Sequence, residues 1–82
     1  MTTYEKEKCR KLLEEAIQVC DRANEEYMEY ERLIKEDDKV NAEVKLRQAD
    51  YKLGYANGIH QVLAVLRFQN DMMKELERLL WY

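Results

Sequence analysis

Apolar side chains recur at alternating steps of four and three residues through the first part of the chain. The positions are Cys9, Leu13, Ala16, Cys20, Ala23, Tyr27, Tyr30 and Ile34, and Leu12, Val19 and Leu33 widen the stripe. Side chains with this spacing lie on one side of an α-helix and form the seam of a coiled-coil-like helical pair. Thr2 and Glu5 have the spacing of a capping box, so a long first helix should begin near Thr3.

The apolar seam stops at a polar run between Glu36 and Asn41, where we expect the chain to reverse. Asp38 or Asn41 can serve as the N-cap of a second helix. The sequence therefore predicts an all-α fold, an antiparallel helical hairpin. Its single domain (1–82) has a first helix over about residues 3–36, a turn over 37–41 and a second helix over about 42–81. One uninterrupted helix is the alternative, because neither Gly nor Pro enforces the turn.

The second helix has two neighbouring apolar seams. The first contains Tyr55, Ile59, Val62, Leu66, Met73, Leu76 and Leu80. The second contains Tyr51, Gly54, Gly58, Val65, Phe68, Met72 and Leu79. A helix that is apolar on two sides is covered on two sides. We expect one side to pack on the first helix and the second seam to be an oligomer interface, through which hairpins assemble into a helical bundle.

A further group of residues on the second helix faces another direction. Ala42, Leu46, Ala49, Leu53 and Ala56 project roughly 100° away from the stripe centred on Ile59, Leu63 and Leu66, at about 100° per residue. The change of direction falls at Asn57-Gly58, a dipeptide that is common in turns. The second helix is therefore expected either to continue through this point or to kink there and give a three-helix chain.

The inventory of reactive residues predicts no catalytic residue, metal site or cofactor. The chain has no Ser, and Cys9 and Cys20 fall on the apolar seam without a base beside them. Eleven residues of helix separate these cysteines by about 16 Å, so they cannot form a disulfide within one chain. His60 is the only histidine and has no carboxylate or cysteine at the spacing of metal ligands. We therefore expect a protein that is not an enzyme.

The distribution of apolar and charged residues bears on location and partners. Residues 1–15 alternate Lys and Glu and lack the apolar segment of a secretory signal. The most apolar stretch covers residues 59–68, about half of the ~20 residues that span a bilayer. These patterns predict a cytoplasmic protein without a membrane partner, in which both cysteines stay reduced.

Acidic residues dominate one segment of the chain. Residues 14–38 contain ten acidic and three basic residues, a net charge of −7, within a chain whose overall net charge is −3. Nucleic-acid binding requires a concentration of basic residues, so a direct nucleic-acid partner is not expected. Instead we predict that an acidic face on the first helix binds a protein partner. Its residues are Glu14, Asp21, Glu25, Glu29 and Glu36.

The glycines and aromatic residues of the second helix suggest another kind of site. Gly54 and Gly58 are four residues apart, and each costs a helix about 1 kcal/mol relative to Ala. Close helix packing is one explanation, and room for a ligand is the other. In the second case subunit interfaces would enclose a small nucleotide-like ligand. The residues predicted to bind it are Tyr51, Tyr55, Asn57, His60 and Arg67.

The stretch Tyr51-Lys-Leu-Gly54-Tyr55-Ala-Asn-Gly58-Ile59, followed by an apolar helix, resembles a pattern of small helical accessory proteins that phages and mobile elements encode. The resemblance covers less than a quarter of the chain. It implies a protein that binds and blocks a host or defence protein, in the host cytoplasm. The sequence thus predicts a non-enzymatic, homo-oligomeric interaction protein, with a ligand-sequestering sponge and a purely structural bundle subunit as alternatives.

Overall fold

The fold is an antiparallel hairpin of two long helices with a short third helix packed against it. The computed structural model describes residues 1–81 and has α1 (Thr3–Lys35), α2 (Lys39–Val65) and α3 (Met72–Leu80). α1 and α2 share the largest interface, and α3 contacts both of them. The molecule is elongated and measures 52 × 17 × 16 Å. The predicted all-α hairpin is confirmed.

α1 begins with the predicted capping box and buries the predicted seam. The backbone N–H of Glu5 donates to the Thr2 hydroxyl, and the Thr2 N–H donates back to the Glu5 carboxylate. These hydrogen bonds lower the pKa of Glu5. The seam is buried or half-buried from Cys9 to Tyr30. At the last turn Leu33 is buried and Ile34 is exposed, because the chain reverses beside Leu33.

The reversal after α1 is a Schellman motif without glycine. The N–H of Asp38 donates to the carbonyl of Leu33 at 2.9 Å, and the N–H of Asp37 donates to the carbonyl of Ile34 at 3.1 Å. Asp37 has φ 61°, the left-handed region that usually favours glycine. Asp38 then caps α2 by accepting from the N–H of Asn41. The turn is therefore shorter than predicted, and α2 begins at Lys39.

α2 packs on α1 through a face other than the two seams predicted for it. This inner face consists of Ala42, Leu46, Ala49, Leu53, Ala56, His60 and Leu63, at steps of four and three residues. Of the first predicted seam, Ile59 packs against the core, but Tyr55, Val62 and Leu66 are largely exposed. The prediction was wrong because Ala and His are only weakly apolar. Small side chains nevertheless let α2 pack closely on the Cys and Ala residues of α1.

The break that creates a third helix lies at residues 66–71, and α2 is continuous through Asn57-Gly58. α2 ends as α1 does. The N–H of Phe68 donates to the carbonyl of Leu63, and the N–H of Arg67 donates to the carbonyl of Ala64, both at 3.0 Å. Arg67 has φ 56°. Of the two alternatives at Asn57-Gly58, the helix continues, because the inner face keeps its register past Gly58 and the Ala and Leu residues on either side belong to one stripe. The second helix nevertheless ends at Val65, before the predicted end near residue 81.

α3 closes the open end of the hairpin. Leu76 is fully buried, and Met73, Leu79 and Leu80 pack against the core that Cys9, Leu13 and Leu63 form. The N–H of Met72 donates to the side chain of Asn70 at 2.8 Å, which supports the start of the helix. Burial raises the pKa of the Cys20 thiol, and both cysteines are free and buried.

Tyr27 joins the two long helices nearer the turn. Its hydroxyl donates to Asp50 Oδ1 of α2 at 2.5 Å. Burial, the hydrogen bond and the negative charge of Asp50 together raise the pKa of Tyr27 to about 12. This contact provides the hydrogen-bond partner that a half-buried phenol requires.

Arg67→Gly should stabilise the protein by about 0.5 to 1 kcal/mol, because glycine adopts the left-handed conformation without the steric cost of a Cβ. The matched control is Ala64→Gly, which places glycine in the last turn of α2 and should destabilise by about 1 kcal/mol. Chemical denaturation measures both free energies of unfolding. Equal destabilisation by the two substitutions would contradict the left-handed end of α2.

The raised pKa of Tyr27 predicts a loss of stability at high pH. Unfolded tyrosine loses its proton near pH 10, whereas folded Tyr27 keeps it up to about pH 12. The free energy of unfolding should therefore fall as the pH rises from about 10 to about 12. Tyr27→Phe should make this fall shallower, as measured by denaturation across that range. Asp50→Ala should lower the pKa of Tyr27 in a tyrosinate absorbance titration, and an unchanged titration would contradict the contact.

Candidate interaction surface

An open apolar groove runs along the side of α2 that α3 leaves uncovered. α3 reaches the side of α2 that carries Asn57 and His60. On the opposite side a depression of about 500 Å³ is lined by Leu12, Gly54, Tyr55, Gly58, Ile59 and Val62. A second depression shares Gly58 and Val62 with it and extends to Val65 and Leu66. The two form one continuous groove toward the end of α2.

The two glycines on this surface have no role inside the chain. Neither Gly54 nor Gly58 has a positive φ, so the backbone conformation does not require glycine. A Cβ built on either would meet nothing within 4 Å among residues 1–81. Each glycine still costs the helix about 1 kcal/mol relative to Ala. Contacts among residues 1–81 therefore do not account for either glycine.

The surface around the glycines is nearly free of charge. Between Tyr51 and Leu66 the ionisable side chains other than the tyrosines are Lys52 and His60. Lys52 forms an ion pair with Glu26 of α1, and His60 is buried. Tyr51 and Val65 are the most exposed apolar residues here, at 77% and 81%. The exposed face of α2 is therefore an apolar surface with few charged side chains.

Tyr55 forms the rim of the groove toward α1. Its hydroxyl donates to Glu15 Oε1 at 2.8 Å. The hydrogen bond and the charge of Glu15 raise the pKa of Tyr55. This hydrogen bond links Tyr55 of α2 to α1 beside the groove that Tyr55 lines.

The predicted oligomer residues separate into two groups. Tyr51, Gly54, Gly58 and Val65 share the exposed face of α2, and Met72 is 38% exposed in α3. Phe68 and Leu79 instead pack against the core of the same chain. The break at residues 66–71 folds α3 back onto the hairpin, so these two residues contact the core of their own chain, and the oligomer interface itself stays a prediction.

The five predicted ligand residues do not form one site in a single chain. Tyr51 and Tyr55 lie on the exposed side of α2, whereas Asn57 borders α3 and Arg67 lies in the following loop. His60 is 8% exposed and lies on the inner face. On a continuous α2 these residues point in different directions, so within one chain they share no common face.

His60 is held by two residues of the C-terminal segment. Its Nε2 lies 3.1 Å from Glu77 Oε1, and its ring meets the Trp81 ring edge-on at a centroid distance of 4.8 Å. Sequence reasoning missed both contacts. The available signals were the register of His60 with Ala56 and Leu63 and the four-residue spacing of Glu77 and Trp81. These contacts make His60 part of the packing between α2 and α3.

Arginines of α1 form ion pairs with three of the five residues of the predicted acidic face. Glu14 forms an ion pair with Arg10, and Glu29 and Glu36 both pair with Arg32. The hydrogen bond to Arg32 lowers the pKa of Glu29. Asp21 and Glu25 are exposed and have no such pair among residues 1–81. Three of the five carboxylates therefore have an arginine partner, but Arg10 also pairs with Glu7 and Arg32 serves two glutamates, so the face keeps a net negative charge.

No protein-family model, curated protein or solved structure matches this chain. Across residues 1–81, each helix is too short or too polar to cross a bilayer. The same residues contain no group of His, Cys, Asp and Glu side chains arranged to hold a metal ion. Any function proposed for this chain therefore depends on the surfaces that residues 1–81 expose.

His60→Ala should lower the free energy of unfolding by about 2 kcal/mol, because it removes a buried ring and leaves a cavity beneath Trp81. Glu77→Gln should cost less than about 1 kcal/mol, since the amide oxygen can still accept a hydrogen bond from His60. Denaturation followed by fluorescence of Trp81, the only tryptophan, measures both. A fully stable His60→Ala variant would show that His60 does not support the docking of α3.

Proposed function

We propose that the chain is a non-enzymatic interaction protein that works as a homo-oligomer, with two copies packed together through the exposed face of α2. One observation carries the proposal. Gly54 and Gly58 keep the helix surface bare where the chain itself has room for side chains. A second helix can approach this surface closely, and Tyr51, Val62 and Val65 of each copy can then pack around the contact.

Charge favours a second copy of the chain as the occupant of this surface. Two copies that met through α1 would bring together segments that each carry a net charge of −7 over residues 14–38. The exposed face of α2 has no such repulsion, because Lys52 is paired with Glu26. A twofold pair places the same apolar surface on both sides of the interface, so both partners are apolar and uncharged.

The stretch that resembles phage-encoded accessory proteins supplies this same surface. Tyr51, Gly54, Tyr55 and Gly58 all lie on the uncovered side of α2. Self-association and the role that the resemblance implies are therefore compatible. Binding to a host or defence protein stays a prediction, and Asp21 and Glu25 are the members of the acidic face that α1 leaves uncompensated.

Gly58→Leu and Gly54→Leu should abolish self-association, because the added side chains prevent the approach of a second helix. The wild-type chain should sediment as a dimer or larger species at micromolar concentration. Gln18→Leu is the control, since it adds the same side chain to an exposed position on α1. A monomeric wild type, or an unchanged mass for Gly58→Leu, would contradict the proposal.

Gly58→Ala separates assembly from folding. It should stabilise the dissociated monomer by about 1 kcal/mol, because the helix gains propensity and the methyl group meets nothing within the chain. It should weaken assembly at the same time. Denaturation at high dilution measures the first effect, and sedimentation across a concentration series measures the second. Stronger assembly of Gly58→Ala would argue against close helix contact.

A further inference from the structure

A separate cleft lies at the end of the hairpin opposite the turn between α1 and α2, between the start of α1 and the loop that joins α2 to α3. Its volume is about 510 Å³, which lies within the range of small-molecule sites. The lining combines apolar and polar side chains and consists of Met1, Lys6, Leu66, Arg67, Phe68 and Gln69. The cleft therefore offers both an apolar wall and charged groups to a ligand.

The two basic residues of this cleft are not compensated. Lys6 comes from α1 and Arg67 from the loop, and no acidic residue lines the cleft. Neither side chain forms an ion pair or hydrogen bond with another part of residues 1–81. Arg10, Arg32, Arg47 and Arg78 are paired with glutamates of their own helix, whereas Arg22 of α1, like Arg67, forms no ion pair within residues 1–81. Two unpaired cations on one cleft create a local positive potential that attracts an anion.

Arg67 occupies a conformation that its residue type disfavours. Its φ of 56° closes the end of α2, and glycine performs that task without strain. The Arg67 side chain contributes nothing to the helix end, because the closing hydrogen bonds come from the backbone N–H groups of Arg67 and Phe68. Strained residues of this kind cluster at functional sites, where the side chain serves a purpose other than folding.

We propose that this cleft binds a small organic anion, a phosphate or carboxylate group attached to an apolar ring. Arg67 and Lys6 pair with the anionic group, since a guanidinium can bind phosphate or carboxylate with two parallel hydrogen bonds and an ammonium adds a second charge. Leu66 and Phe68 contact the ring. The two cations lie outside the glycine surface of α2, although Leu66 lines both the cleft and the end of the groove.

Calorimetry with three probes tests the proposal. The probe 2-naphthyl phosphate carries both features, inorganic phosphate carries the anion alone and 2-naphthol carries the ring alone. We expect 2-naphthyl phosphate to bind once per chain and about 10-fold more tightly than either of the others, because both parts of the cleft contribute. Absence of saturable binding at millimolar concentration, or equal binding of 2-naphthol, would overturn the proposal.

Variants of the two cations locate the site. Arg67→Gly relieves the strained backbone and should keep the protein folded, yet it should weaken binding of 2-naphthyl phosphate by about 10-fold. Lys6→Gln should weaken it as well. Arg22→Gln removes an exposed arginine of α1 away from the cleft and should leave binding unchanged. Full binding by Arg67→Gly, or an equal loss in Arg22→Gln, would overturn the assignment to this cleft.

Discussion

The packing of small side chains between α1 and α2 is the constraint on which the rest of the molecule depends. Ala42, Ala49 and Ala56 of α2 are completely buried against a seam that includes Ala16 and Cys20 of α1. A contact made of small side chains requires the two helices to approach closely. The inner face of α2 therefore alternates alanines with the larger residues Leu46, Leu53 and Leu63, while Tyr51, Tyr55, Val62 and Val65 of the same helix are exposed.

This close packing explains why apolar periodicity identifies the buried face of α1 but not the face of α2 that packs on it. The seam of α1 is regular, and no competing apolar face exists on that helix, so periodicity finds it correctly. On α2 the larger residues Tyr55 and Val62 give the stronger apolar signal, although they are largely exposed. Periodicity does group five residues of the inner face, Ala42, Leu46, Ala49, Leu53 and Ala56. It does not show that their close fit to α1 outweighs the larger apolar residues on the other faces of α2.

The helix ends show a second limit of local sequence signals. Asn57-Gly58 is the strongest turn signal of the second half, but both residues adopt helical geometry because a break there would interrupt the buried stripe between Ala56 and Leu63. The actual ends use Asp37 and Arg67 in the left-handed conformation. Asp37 lies in the polar run that predicted the reversal, and aspartate adopts the left-handed conformation more readily than most residues, whereas no local signal marks Arg67 as the end of α2.

Arg67 also determines which side of α2 remains open. Its left-handed backbone turns the chain back, and Leu76 and His60 then join α3 to one side of the hairpin. The other side keeps Gly58 and Val62 uncovered. If the second helix had continued without a break, both flanks of α2, on either side of its inner face, would lack a covering helix from the same chain. The left-handed backbone of Arg67 thus brings α3 onto one side of α2 and leaves the glycine surface uncovered. It also places the Arg67 side chain in the adjacent cleft.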